Sequence, residues 1–235
     1  MCGRYTLSPK PQELLRLFGL NHSPELAPRF NIAPTQTTFV VRPGQPSTNS
    51  SDPLQSSNEL VPMRWGLLPH WASSPPTKPL INARAESIHQ KTSFKEAFQK
   101  RRCLIPASGF FEWPQKGRNK APFYIGVAEW KLFTMAGIWE IWRGEDGQLV
   151  TSCAIITTRA NQLVEDLHPR MPVIVEPKDH QAWLSKGSSP PSLKALLVPY
   201  PGERMQAVPV GAYVNSVGNE GPRCIKPAPL QQSLF

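Results

Sequence analysis

Apolar positions recur along this chain at two spacings, and the two separate helices from strands. After Ser8-Pro9-Lys10-Pro11, residues Leu14, Leu15, Leu17 and Phe18 share one helical stripe, and Gly19 follows as a stop. Phe94, Ala97 and Phe98 share a second stripe over Ser93–Lys100, where Glu96 is spaced to pair with Lys100. Asp179–Leu184 and Ser192–Leu197 read as further short helices. Elsewhere the pattern is that of strands: Thr38–Arg42, Arg102–Ile105, Phe110–Trp113, Pro122–Val127, Phe133–Trp139, Val150–Thr157 and a late one over Gln206–Val214. Arg29–Thr35 is an extended lead into the first of these. Turns are predicted at 116–120 and at Gly144–Gly147. The expectation is an α+β fold: one β-rich domain, its strands mixed or antiparallel around a partly closed, barrel-like core, with a few short flanking helices.

Residues 43–58 are almost all Ser, Pro, Gly, Asn, Asp and Gln, which predicts a flexible loop inserted between two strands rather than a domain boundary. The domain is expected to span residues 1–221. Residues 222–235 are proline-rich and are expected to form a disordered tail that hangs free.

Composition narrows the picture. The 235 residues suffice for one large domain with a substantial core. The 27 prolines favour turns and short strands over long helices. Net charge is +9 although only 18% of residues are charged, so the excess consists of Lys and Arg without matching acids. That bias suits a polyanion, nucleic acid first, or serves solubility alone. The cysteines at 2, 103, 153 and 224 form no C-x-x-C pair and the five histidines are scattered, so no zinc site is readable and no cofactor is expected. Cys103 and Cys153 read as buried strand thiols of a reducing compartment. No apolar leader or membrane-length apolar run is present, and a cytoplasmic location follows as an expectation.

Candidate chemistry begins at Met1-Cys2-Gly3-Arg4. Cys2 is small enough for Met1 to be trimmed, which would leave an α-amine and a thiol on one residue. Both are fractionally nucleophilic near neutral pH. Such an aminothiol condenses with an aldehyde to an imine, and the thiolate then closes a five-membered thiazolidine. Ring closures of this kind reach effective molarities of roughly 10^5 M. An ordinary residue in a frayed terminus is the plain alternative.

Other polar residues stand out against the strand pattern. Glu112 lies among aromatics in Gly109-Phe110-Phe111-Glu112-Trp113, either buried with a raised pKa or turned to solvent by alternation. His168, in Asp166-Leu167-His168-Pro169-Arg170, is either a proton shuttle or an ordinary loop histidine. Asn82 could orient an amine or cap a turn. Trp65 and Trp71 with Arg64, Arg84 and Arg170 combine aromatic and basic surface as single-stranded nucleic acid requires, although either Trp could be core.

Seven motifs in order carry a resemblance: Met1-Cys2-Gly3-Arg4, Asn31-x-Ala33-Pro34, Arg64-Trp65-Gly66-Leu67-x-Pro69-x-Trp71, Ile81-Asn82-Ala83-Arg84-x-Glu86, Arg102-Cys103, Gly109-Phe110-Phe111-Glu112-Trp113 and His168-x-Arg170-Met171-Pro172. From Cys2 to about Gly221 the chain resembles the SRAP family of SOS-response-associated peptidases, understood as abasic-site processing proteins. The resemblance implies capture of the ring-opened aldehyde of an abasic site in single-stranded DNA as a thiazolidine on Cys2, with slow reversal. It further implies that Asn82 positions the amine, that Glu112 moves protons and that His168 serves as acid or base. Arg4, Arg84 and Arg170 would hold phosphates, and Trp71, Asn31, Pro34 and Thr157 would support the strand. The expected protein is a monomer in the cytoplasm, near the nucleoid and replication, with no membrane partner and no cofactor. It would act as a crosslinking, lyase-like or peptidase-type enzyme that can also remove its own Met1.

Three rivals share parts of this pattern. An N-terminal-nucleophile amidotransferase also begins Met-Cys-Gly, but needs further motifs that this sequence lacks. A cysteine peptidase would pair Cys2 with His168. A non-covalent reader of modified bases would need no reactive terminus.

Overall fold

The computed structural model describes residues 2–20, 22, 24–44, 58–114 and 121–229. Its centre is a closed five-stranded barrel. The hairpin of β3 (Thr37–Pro43) and β4 (Asn58–Trp65) pairs antiparallel from Thr37↔Arg64 to Pro43↔Asn58. Strand β3 also meets β6 (Arg102–Ala107), which pairs antiparallel with β9 (Phe133–Arg143). Strand β9 then pairs antiparallel with β10 (Leu149–Arg159). The parallel contact of β10 with β4, through Ser152↔Arg64 and Cys153↔Trp65, closes the ring. Closure removes the edges that an open sheet would expose.

These strands read as nearly continuous apolar runs because both of their faces are buried. One set of alternating residues, including Val40, Cys103, Ile105, Met135, Cys153 and Ile155, belongs to the inner cluster. The intervening set, Val41, Leu104, Ala136, Ile138, Ala154 and Ile156, faces outward. Short helices cover that outer set: α1 (Pro11–Phe18), α2 (Thr92–Lys100), α4 (His180–Leu184) and α5 (Pro190–Ala195) place Leu14, Phe18, Ala97, Phe98, Trp183, Leu184 and Leu193 on it. The remaining helix, α3 (Gln162–Glu165), is a single turn capped by Asn161, whose side chain accepts from Val164 N. The stop after α1 is as expected, Gly19 taking the left-handed conformation at φ 62° while its N–H bonds to Leu15 O.

A second, antiparallel sheet caps the barrel in the order β13 (Met205–Pro209), β8 (Phe123–Val127), β7 (Gly109–Glu112), β1 (Tyr5–Leu7) and β2 (Arg29–Ile32). Tyr5, Phe110 and Ile125 point into the inner cluster, where the Tyr5 ring meets the Trp65 ring edge-on at 5.2 Å. Gly109 is required at its position, because a Cβ there would lie 2.2 Å from the Tyr124 ring.

Several boundaries differ from expectation. The late strand stops at Pro209, and the chain enters a 3-10 turn at Ala212–Asn215. The chain after Gly221 does not hang free over its first residues. Pro222–Ile225 is a 3-10 turn, Cys224 is buried with Phe111, Val210 and Val214, and Ala228 N bonds to Pro209 O. The apolar side chains of Val214 and Cys224 anchor what the proline content alone suggested would be loose. Three short strands are too brief to show periodicity: β5 (Asn82–Arg84) and β11 (Arg170–Pro172) pair with β10, and β12 (Ile174–Val175) pairs with β9. Of the loop predicted at 43–58, Pro43 and Asn58 are instead the paired ends of β3 and β4; residues 45–57, the turn at 116–120 and the extreme tail lie outside the described residues. No helix among the described residues is long and apolar enough to cross a membrane.

Candidate active site

The N-terminal arm runs into β1 alongside the end of β7, where Phe111 N donates to Arg4 O across 2.9 Å. Cys2 is therefore fully buried in the inner cluster, with Sγ 4.0 Å from Arg4 O. On β7 alternation puts Phe110 inside and Phe111 outside, so Glu112 returns inside and is only 3% exposed. The parallel pairing Ile155↔Asn82 carries Asn82 to the same place from the barrel side. There its Nδ2 donates to Cys2 O at 3.0 Å, while its Oδ1 is buried with no hydrogen-bond partner among the described residues. A buried acceptor left open beside a terminus is suited to receive an amine N–H.

The electrostatics couple these groups. Burial, and then the charge of Glu112, push the Cys2 thiol far above its ordinary range, so at neutral pH it is protonated. Burial pushes Glu112 up to about 7, although the positive chain terminus and a hydrogen bond from it act in the opposite direction. A carboxyl titrating there can both hold and release a proton at neutral pH. His168 is buried, and its pKa is lowered by burial and then by the same terminal charge. Its Nδ1 lies 3.0 Å from Arg170 N and 3.1 Å from Arg170 O, so this ring nitrogen can accept from the one or donate to the other. Cys2, Asn82, Glu112 and His168 thus gather around one terminus from four separated stretches of sequence.

The residues expected to hold a nucleic-acid strand divide. Arg84 is exposed at the end of β5, and Trp71 is 57% exposed beside a concavity of about 400 Å³ lined also by Pro69, Pro76 and Leu80. Pro34 is half-buried in a turn whose next residue, Thr35, has φ 71°. Arg170 reaches solvent only in part: it bonds Glu86 Oε1 at 2.7 Å and Thr157 O at 2.5 Å. Two expectations are corrected. Thr157 is wholly buried, and its hydroxyl lies 3.3 Å from Arg170, so it supports that arginine from behind. Asn31 is 1% exposed and spends its carboxamide on Arg4 and on the carbonyls of Val214, Ser216 and Asn219. Arg4 itself donates to Asn31 Oδ1 at 2.7 Å, Val214 O at 2.9 Å and Asn215 O at 3.4 Å, so it is largely committed within the fold.

Three residues at this site carry no role that the sequence assigns. Glu86 stands two residues from Arg84 in sequence but pairs with Arg170, 84 residues away, so the local pattern would have pointed to the wrong arginine. Trp113 and Asn215 meet only through the tertiary fold, Trp113 Nε1 donating to Asn215 Oδ1 at 2.8 Å, and no local signal announces them.

Known proteins resemble this chain in sequence and in fold. The family model described as SOS response associated peptidase (SRAP) matches residues 1–217. The Bacillus subtilis (strain 168) protein named abasic site processing protein YoqW is 36% identical over 232 residues, covering 96% of this chain and 99% of the relative. Abasic site processing protein HMCES of Gallus gallus is 30% identical over 267 residues, covering 98% of this chain and 79% of the relative. A crystal structure of a Bacteroides thetaiotaomicron protein superposes with a TM-score of 0.83 at 27% identity, covering 97% of this chain and 100% of that one. One from Bordetella bronchiseptica gives 0.74 at 27% identity, covering 89% and 100%.

Proposed function

The chain belongs to the SOS response associated peptidase (SRAP) family, and from that premise we propose that it processes abasic sites in DNA through a covalent bond to Cys2. The observation that carries this reading is the convergence of Asn82 and Glu112 on the buried Cys2. Relatives named abasic site processing proteins support the substrate class.

The proposed chemistry follows from the site. Removal of Met1, by an aminopeptidase or by the domain itself, uncovers the α-amine of Cys2. Asn82 Oδ1 accepts one N–H and keeps the nitrogen lone pair directed outward. In DNA the abasic sugar is mostly a closed hemiacetal, and Glu112 transfers the proton that opens it to the aldehyde. The amine adds to the carbonyl carbon, and protonated Glu112 or His168 protonates the departing hydroxyl, which leaves as water. The resulting iminium is cationic and lies on Cys2 itself. That charge favours the thiolate, offsetting the burial and the Glu112 charge that hold the thiol protonated beforehand. The group that gave its proton to the departing hydroxyl takes the Cys2 thiol proton in return, and the thiolate adds to the iminium carbon and closes the thiazolidine. The net change is loss of one water.

Arg84, Arg170 and Trp71 are proposed to hold single-stranded DNA, the arginines on phosphates and the indole against a base. Such contacts position a strand without reading its sequence, as a lesion found in any context requires. One terminus serves one strand, so a monomer suffices. Action on DNA would place the protein in the cytoplasm with the nucleoid. The peptidase named in the family description fits removal of the protein's own Met1. The decisive experiment incubates the protein with a single-stranded oligonucleotide carrying one abasic site and resolves the products on a denaturing gel. Wild-type protein is expected to shift the oligonucleotide and Cys2→Ala to leave it unshifted. Absence of a wild-type shift, or an equal shift with Cys2→Ala, defeats the proposal.

A further inference from the structure

The segment Val214–Asn219 grips the N-terminal arm and the end of β7 together. From it, Val214 O and Asn215 O accept from Arg4, two residues beyond Cys2. Asn215 Oδ1 accepts from Trp113 Nε1 at 2.8 Å, one residue beyond Glu112. Arg4 also lies over the Trp113 ring, 5.8 Å from its centroid. The segment is itself held rigid. Asn31 Nδ2 donates to Ser216 O at 2.9 Å and to Asn219 O at 2.8 Å, and Asn219 Nδ2 donates to Tyr213 O at 2.7 Å. At its far end Glu220 binds Arg29 and the backbone of Phe30. Anchors to β2 therefore lie along the whole segment.

We infer that Asn215 is a positioning residue, which fixes the reacting terminus of Cys2 against the carboxyl of Glu112 by holding Arg4 through its carbonyl and Trp113 through its side chain. This rests on the functional reading above. Both strands that carry the site end there: the arm has not yet entered β1, and β7 stops at Glu112. The arm is tied to β7 through Phe111 N and Arg4 O and to Asn82 through Cys2 O, and the segment adds a further brace just beyond the end of β7. A half-buried cation pinned to two carbonyls and a Trp N–H given an acceptor on the same segment favour one geometry over many. Misplacement of reacting groups by about 1 Å is worth roughly 10^2-fold in rate. Asn215 touches neither reacting group, so its action passes through Arg4 and Trp113.

The test compares wild type with Asn215→Ala, which removes the acceptor, and Asn215→Asp, which keeps it. Trp113→Phe removes the donor instead and serves where Asn215→Ala fails to fold. Single-turnover crosslinking to the abasic oligonucleotide gives a maximal rate and a half-saturating DNA concentration. Asn215→Ala is expected to lower the maximal rate by roughly 10- to 100-fold with the half-saturating concentration unchanged, and Asn215→Asp to restore most of the rate. A second readout needs no DNA: the carboxyl titration of Glu112, followed by NMR. Its midpoint, about 7 in the wild type, is expected to fall toward the ordinary 4.5 in Asn215→Ala as the carboxyl loosens toward water. An unchanged titration overturns the inference whatever the rate does. A change confined to half-saturation overturns it too, since that would make the segment a DNA contact. Wild type that forms no crosslink defeats the functional reading and leaves the titration to decide the role of Asn215.

Discussion

Asn82 donates to the carbonyl of Cys2 across 3.0 Å while its buried Oδ1 has no partner among the described residues. One amide therefore both locates the terminal residue and leaves an acceptor for its amine. Asn82→Ala is expected to slow crosslinking roughly 10- to 100-fold through lost orientation, and to cost about 1 kcal/mol of stability for the lost hydrogen bond. Asn82→Asp separates the two roles. A carboxylate beside the amine favours its protonated form, so the rate should climb at higher pH than in the wild type. Rate–pH profiles of the two variants provide the measurement. Coincident wild-type and Asp profiles would remove Asn82 from amine control.

Glu112 links catalysis to stability. Its carboxyl titrates near 7 in the folded chain against an ordinary 4.5, because burial disfavours the charge. A folded value above the unfolded one means that the native state binds the proton more tightly. Its stabilising contribution is complete below about 4.5 and disappears as pH rises through 7. Above that range the buried carboxylate costs on the order of 3 kcal/mol relative to a protonated one. Glu112→Gln is therefore expected to be more stable than wild type at pH 8 and nearly equal to it at pH 4.5. Its crosslinking should be slower by roughly 10^2- to 10^4-fold, with DNA affinity retained. Urea melts at both pH values and single-turnover gels check these points; an unaltered rate would exclude Glu112 from proton transfer.

Local pattern makes much of this arrangement legible in the sequence. The helix at Pro11–Phe18 ends at Gly19 as its stop signal requires, and the barrel strands begin and end within a few residues of their apolar runs. Alternation alone leaves two possible faces for Glu112, and only the pairing of β7 with β1 selects the inner one. Asn31 and Thr157 depart from expectation for a related reason. Sequence reports that a polar residue is present in a motif, but not whether its hydrogen-bonding capacity is consumed inside the fold. Asn31 spends its carboxamide on Arg4 and on carbonyls more than 180 residues away. The docked segment after Gly221 is hidden by its prolines, because what holds it is burial of Cys224 rather than regular structure.

Salt dependence should separate encounter from capture. Phosphate contacts release counterions, so non-covalent affinity for single-stranded DNA falls with salt at a slope of about 0.7 per contact. A thiazolidine contains no such contact. Raising salt before mixing should lower the crosslinking rate at sub-saturating DNA, whereas raising it afterwards should leave the shifted band intact. Loss of the band on late addition of salt would mean that the complex is not covalent.

Glu86 offers the sharpest test of the DNA surface, because it competes for a cation. Its carboxylate lies 2.7 Å from Arg170, which holds it below the usual range, and its side chain is more than half exposed. Exposed pairs of this kind contribute at most about 1 kcal/mol, so breaking this one should leave the fold nearly unchanged. Thr157 would still hold the other side of the guanidinium. Glu86→Gln thus releases Arg170 in place, already oriented, for a phosphate. Affinity for single-stranded DNA should rise by up to about fivefold at low salt, and the salt slope should steepen by up to about 0.7. Arg170→Ala should do the reverse, and the double variant should match Arg170→Ala, since the acid acts only through its partner. Fluorescence anisotropy with an undamaged oligonucleotide measures all three without any covalent step. If Glu86→Gln binds no better than wild type while Arg170→Ala binds as well as either, Arg170 does not face the strand, and Arg84 and Trp71 must carry the contact without it.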